Sequence, residues 1–284
     1  MSTSVSKLFR YPVKSLMGES LTSLDIGARG TIGDRVWAVR DEVRGGIRGG
    51  KKIPQLMKLQ ANFIGDPAAE GSSPALIKGL DGSERKTDAN DINSWLSAQL
   101  QHQVTLWPLM PADDLDHYRR GAPDSDDFEQ ELREMFARTP DEPLPDLEMF
   151  AEVIEYETPL GTYFDAFPIL VMTEQSLRSM ATHRPDSSFD VSRFRPNLLI
   201  DASDSEAVFP ENDWVGKQLR IGNVVLETVG ECPRCAMTTH GFADLPKDPG
   251  IMRALVEANG GNLGVYAKVV EGGTVSLGDT LEIV

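Results

Sequence analysis

The sequence predicts an α+β chain, predominantly β, with a barrel-like core of short strands and a few peripheral helices. Short apolar or alternating runs recur along its length, bounded by glycine, proline and asparagine. Few windows carry apolar residues at helical spacing, and there is no internal repeat.

Residues 6–11 alternate up to Pro12 and read as a strand, and 19–26 alternate again through Leu21, Ser23, Leu24 and Ile26. A turn marked by Gly27, Gly30 and Gly33 leads to a short buried-strand candidate at 36–39. Gly45-Gly46 and Gly49-Gly50, mixed with Arg44, Arg48, Lys51 and Lys52, make a flexible basic loop. The window 93–103 reads as a helix, with Trp95, Leu96 and Leu100 on one side and Asp91 or Asn93 as its cap. Residues 111–158 are dense in Asp and Glu, with only Arg119, Arg120, Arg133 and Arg138 as counter-charges. They predict an acidic surface insertion carrying a solvated helix over 126–138.

Further on, 169–172 is a buried-strand candidate, and Thr173 caps a helix running through Leu177 and Met180. Another strand covers 197–200, and 218–227 reads as a hairpin turning at Gly222-Asn223. Its second strand is expected to end at Val229, with Gly230 as a break. That places the next residues in an exposed loop at a sheet edge. A helix over 248–258, a strand over 264–270, a turn at 271–273 and a strand over 274–284 complete the chain.

With 284 residues, 40% of them hydrophobic and 25% charged, the chain suits one large domain or two closely packed ones. No run approaches the roughly 20 apolar residues of a membrane helix. The amino-terminal stretch carries no secretory signal pattern, so a cytoplasmic address is expected. A net charge of −16 argues against a nucleic-acid partner, because phosphate binding needs a basic face. It leaves room for a small anionic ligand in a locally basic pocket, and an acidic exterior suits either solubility or a basic redox partner.

The two cysteines sit together in Cys232-Pro233-Arg234-Cys235, which excludes a disulfide framework and a four-cysteine zinc or iron–sulfur site within this chain. Four readings compete. The pair can be two small buried residues. A thioredoxin-like redox pair needs the motif to open a helix, whereas Thr238-Thr239-His240-Gly241 reads as strand or turn. Half a zinc site needs two more ligands, and His240 is one. A lone thiolate suits a thiophilic metal carried by an organic cofactor, with Arg234 favouring the charged sulfur. Pattern alone leaves these open.

The chain resembles the MOSC-domain proteins (molybdenum cofactor sulfurase C-terminal domain) with their N-terminal β-barrel domain. The matching pieces are Tyr11-Pro12-Val13-Lys14-Ser15, Gly33-Asp34-Arg35-Val36-Trp37, Phe167-Pro168 with Met172-Thr173 and Ser176-Leu177, and Arg193-Phe194-Arg195-Pro196-Asn197. They continue with Cys232-Pro233-Arg234-Cys235 followed by Thr238-Thr239, and with Gly272-Gly273 before Leu277-Gly278-Asp279. Six pieces in order cover almost the whole chain outside the acidic window. The resemblance implies a MOSC N-terminal β-barrel domain over 1–110, the acidic insertion over 111–158 and a MOSC domain over 159–284. It is nearest in function to the amidoxime-reducing components, which reduce N-hydroxylated compounds independently of pyridoxal phosphate.

The resemblance further implies a molybdenum cofactor, with Cys235 as metal ligand and catalytic residue. Lys14, Ser15, Arg35, Arg195 and Arg234 are implied around the molybdopterin and its phosphate, with Thr173 and Asn197 as neutral donors. Cations gathering round that anion agree with its chemistry. Cys232 is implied to accompany the ligand without binding metal, and His240 marks a departure from many relatives that bears on substrate. The implied activity is reduction of a small N-hydroxylated substrate with electrons from a separate ferredoxin, flavoprotein or cytochrome. The alternative is a cofactor carrier or a sulfur-transfer module working through a cysteine persulfide.

Overall fold

The computed structural model describes residues 3–147 and 155–284; the stretch 148–154 of the acidic window lies outside the described residues. The first part of the chain forms β1 (Ser4–Arg10), β2 (Glu19–Leu21), β3 (Ser23–Gly27), β4 (Gly30–Thr31) and β5 (Trp37–Asp41). It continues through β6 (Gln60–Phe63), β7 (Ala75–Lys78), β8 (Glu84–Lys86), α1 (Ile92–Leu100) and β9 (Val104–Pro108). The acidic window contributes α2 (Leu115–Tyr118) and α3 (Phe128–Met135). There follow β10 (Ile169–Thr173), α4 (Glu174–His183), β11 (Leu198–Asp201), β12 (Gln218–Ile221) and β13 (Val224–Pro233). The last elements are α5 (Gly250–Asn259), β14 (Asn262–Glu271), β15 (Gly273–Ser276) and β16 (Leu281–Ile283).

Strand outweighs helix, as expected. Eight strands form one curled half-barrel sheet in the order β16-β12-β13-β14-β10-β11-β1-β2. Its two faces follow from alternation along each strand. Ile169 and Val171 of β10, with Leu198 and Ile200 of β11, point into a core shared with Leu24, Ile26 and Val275 of the small β15-β3-β4 sheet. Leu170, Met172 and Leu199 point the other way, against Met180 of α4 and Ile251, Ala254 and Leu255 of α5. The parallel pair β10–β11 is joined through α4, as a parallel pair requires. A second core, built from Val13, Leu16, Trp37, Leu56 and Leu96, fills the space between β5–β9, β6–β7–β8 and α1.

Three local expectations need correction. β13 does not stop at Val229: it runs through Gly230 to Pro233, its register shifting between Thr228 and Gly230 opposite β14. A glycine here absorbs a bulge rather than ending the strand. β13 therefore lies inside the sheet, between β12 and β14, and carries Cys232 into the interior. Residues 274–284 split into β15 and β16 in different sheets, because Gly278 takes a left-handed turn at φ 85°. The helix of the acidic window is shorter than expected, and Phe136 and Arg138 just beyond it are buried. That window is tied down rather than free in solvent: Asp124 accepts from Arg48 at 3.1 Å, and Glu131 from Lys52 at 2.9 Å. Among the described residues no helix is long and apolar enough to cross a membrane.

Candidate active site

A cavity of about 490 Å³ opens between the first-half loops, the acidic window and the β10–β14 end of the main sheet. Lys14, Ser15, Arg35, Arg195, Asn197, Arg234 and Cys235 all line it, although they come from four separate parts of the chain. Nine Lys and Arg residues line it against three carboxylates, the reverse of the chain's overall balance.

Lys14 is aimed by its neighbours. Val13 and Leu16 are buried in the second core, and the Lys14 amide donates to the Trp37 carbonyl at 2.8 Å, so the side chain between them turns into the cavity. Its ammonium donates to the Tyr163 carbonyl at 3.0 Å and to Asp165 at 2.8 Å. Tyr163 is itself fixed, its hydroxyl donating to the Pro108 carbonyl and lying 2.7 Å from His117 Nε2. Burial lowers the Lys14 pKa, against the pull of Asp165. Burial would also raise that of Asp165, but Lys14 and Lys51 outweigh it and hold the carboxyl far below its usual range. Lys51 stands 3.7 Å from the same carboxylate. Gly49 lets the basic loop approach so closely: a Cβ there would lie 2.7 Å from Ser15 Oγ.

Arg35 and Arg195 flank the Tyr11 ring, their guanidinium carbons 5.0 and 4.1 Å from its centroid. Asp34 accepts from the Tyr11 amide at 2.7 Å and pairs with the Arg35 guanidinium, which also donates to the Arg195 carbonyl at 3.4 Å. Arg195 donates to the Leu16 carbonyl, while its Nη2 is buried without a partner. Burial, followed by the charge of Arg35, lowers its pKa to about 10, so it stays protonated at neutral pH. Ser15, Arg35 and Arg195 all have positive φ, at 67°, 51° and 56°, a left-handed conformation that costs a residue with a Cβ roughly 1 kcal/mol.

Cys232 and Cys235 differ in kind. Cys232 is 2% exposed, its sulfur accepts from Arg234 Nη1 at 2.9 Å, and burial raises its pKa. Cys235 is half-buried on the cavity wall, and its carbonyl accepts from the Thr238 amide at 3.2 Å and hydroxyl at 3.0 Å. The Thr238-Thr239 pair closes a 3-10 turn over Ala236–Thr239 that displays the thiol, and this turn does not open an α-helix as a thioredoxin-like pair would. Arg193, fully buried, clamps the far side of the turn by donating to the carbonyls of Thr238, His240 and Pro246 at 3.2, 2.9 and 2.7 Å.

Thr173 stands apart. It is not among the cavity-lining residues; its hydroxyl caps α4 by accepting from the Ser176 amide at 3.1 Å and donates to buried Glu211 at 2.6 Å. Thr173→Ala is accordingly expected to lower stability by about 1 kcal/mol in thermal unfolding while leaving ligand binding at the cavity unchanged. Asn197 lines the cavity, but its side-chain oxygen is committed to the Leu170 amide at 3.1 Å. His240 does not line the cavity, and burial lowers its pKa. Sequence reasoning missed Asp165 and Tyr266, whose places depend on long-range packing, while the clustered glycines and cations of the basic loop did signal Lys51 and Lys52.

Family models match the chain twice: the MOSC N-terminal beta barrel domain over residues 2–93 and the MOSC domain over 160–282. Mitochondrial amidoxime reducing component 2 of Bos taurus is 28% identical over 83% of this chain and 66% of its own length. That of Homo sapiens is 27% identical with the same coverage, so the chain spans just under two thirds of these relatives. Molybdenum cofactor sulfurase of Danio rerio is 25% identical over 93% of this chain and 32% of its own length. Among solved structures, the YUAD protein from Bacillus subtilis aligns over 100% of this chain and 96% of its own, at 12% identity and a TM-score of 0.45. The chain belongs to the MOSC-domain proteins, with a MOSC domain and a MOSC N-terminal β-barrel domain, and is a distant homologue of the mitochondrial amidoxime reducing components.

Proposed function

We propose that the chain is a molybdenum-cofactor-dependent oxidoreductase that reduces N-hydroxylated substrates with electrons from a separate ferredoxin, flavoprotein or cytochrome. The observation that carries this reading is a half-buried thiol, Cys235, sharing one cavity with Lys14, Arg35, Lys51, Arg195 and Arg234 in a protein of net charge −16.

The residues fit the group. Molybdopterin is anionic at its phosphate and its dithiolene, and cations line the cavity. Nη2 of Arg195 and Nε of Arg234 are buried without partners, each at a cost of roughly 1–3 kcal/mol. An anion accepting from either donor would offset that cost. Among the described residues no three His, Cys, Asp or Glu side chains are grouped to hold a metal. A metal at Cys235 would therefore draw its other ligands from the cofactor, and soft sulfur suits it.

When bound, the cofactor supplies two-electron removal of oxygen from an N–OH or N–O centre, with water as the product. The chain's own residues do the rest. Lys14, Lys51 and Arg195 bind and orient the anionic end, and Asp165 holds the two lysines in place. Arg234 braces Cys232 and the Phe194 carbonyl, which fixes the backbone just before the ligand thiol.

The test is metal analysis of the purified protein beside benzamidoxime reduction driven by dithionite-reduced viologen. Stoichiometric molybdenum with benzamidine formation is expected, and a molybdenum-free protein from a cofactor-competent host would sink the proposal. The Danio rerio sulfurase similarity favours a second reading, a cofactor carrier or persulfide sulfur-transfer module. Molybdenum-loaded protein without turnover would select it.

A further inference from the structure

α3 is amphipathic. Phe128, Leu132 and Met135 recur four and three residues apart on one side, and Glu129, Gln130, Arg133 and Glu134 occupy the others. Such a stripe ordinarily rests on a protein core. Here no residue of the helix is buried, and Phe128 is 67% exposed. The stripe forms instead a wall of the cavity that holds Cys235, with Phe167 also lining it.

The helix is anchored in that position. Asp127 caps it by accepting from the Gln130 amide at 3.1 Å, and Glu131 accepts from Lys52 of the basic loop at 2.9 Å. Beyond its end, Arg138 donates to the Gly260 carbonyl at 3.1 Å. Ion pairs and a cap thus hold an apolar face over open cavity space, where its contact with water is unfavourable until something apolar covers it.

We propose that α3 is the substrate-side wall of the site and receives the uncharged, apolar carbon body of the molecule whose N–O group is reduced near Cys235. The inference rests on the reductase reading. The cations around Lys14 serve an anion, whereas the α3 wall offers Phe128, Leu132 and Met135 and, as its one charged lining residue, Glu131 already paired with Lys52, so the cavity is divided by chemistry. Substrates with an aromatic or alkyl body are favoured over small polar N-hydroxyl compounds.

The experiment uses cofactor-loaded protein, wild type and the single variants Phe128→Ser and Leu132→Ser, whose exposed or half-buried positions leave the fold intact. Values of kcat/KM are measured for benzamidoxime and hydroxylamine, together with benzamidoxime binding by titration calorimetry and molybdenum content. The expected result is a roughly tenfold fall in the benzamidoxime-to-hydroxylamine ratio, carried by KM, with unchanged metal content. An unchanged ratio overturns the proposal, and so does a fall in metal content, which would assign the wall to the cofactor. Should wild type bind benzamidoxime in an α3-dependent way without reducing either compound, the reductase reading fails while the wall stands.

Discussion

Cys235→Ala is expected to remove molybdenum from the purified protein and to lower N-hydroxyl reduction by at least about 10³-fold, whereas Cys232→Ala keeps the metal. The two sulfurs lie three residues apart, yet their surroundings assign them different work. Cys235 sits on the cavity wall at the mouth of a short turn, sharing the cavity with Lys14 and Lys51. Cys232 is packed among Leu170, Phe194 and Leu263, and its sulfur already accepts from Arg234. A thiolate there would have to form against burial, which raises its pKa. The turn at 235–238 is held by backbone and Thr238 hydrogen bonds that use no thiol, so the alanine variant retains its fold. Metal analysis and steady-state kinetics on the two variants decide the matter. Equal molybdenum in both would overturn the assignment of the ligand.

Much of the fold is legible because its signals are local. The Thr173 cap, the hairpin at Gly222-Asn223 and the continuously apolar β10 and β11 were all readable from a few neighbouring residues. What was not legible depends on partners far away. β1 pairs with β11 some 190 positions on, and no local pattern announces that pairing. Gly230 reads equally as a break or as a bulge, and β14 alongside decides for the bulge.

The site divides in the same way. Nothing in spacing shows that residues 14, 35, 195 and 234 meet; the family resemblance grouped them, and one cavity does hold them. Thr173 was grouped with them because the resemblance implies it as a neutral donor. Its hydroxyl is consumed by the Ser176 amide and by Glu211, since an uncapped helix start would leave a buried N–H unsatisfied. Asp165 carried no signal at all. Its meaning comes only from the two lysines that converge on it.

Arg195→Gly and Arg195→Met are both expected to weaken retention of the anionic cofactor by roughly 10- to 100-fold, since a charge-assisted contact is worth about 1.5–3 kcal/mol. The two variants should part company in stability. Arg195 holds a left-handed backbone at φ 56°, which glycine adopts freely and methionine does not. Without cofactor, the glycine variant is therefore expected to unfold about 2 °C above the methionine variant, from roughly 1 kcal/mol of relieved strain. The strain and the buried, partnerless Nη2 are two unfavourable features on one residue. Both make sense if the guanidinium is held ready for an anion that arrives after folding. Adding cofactor should then raise the melting temperature of the wild type well above its own unliganded value and raise that of either variant far less. Thermal unfolding of the three proteins, with and without cofactor, measures both effects. A wild type that melts at the same temperature in both states would show that the arrangement around Arg195 serves the fold alone.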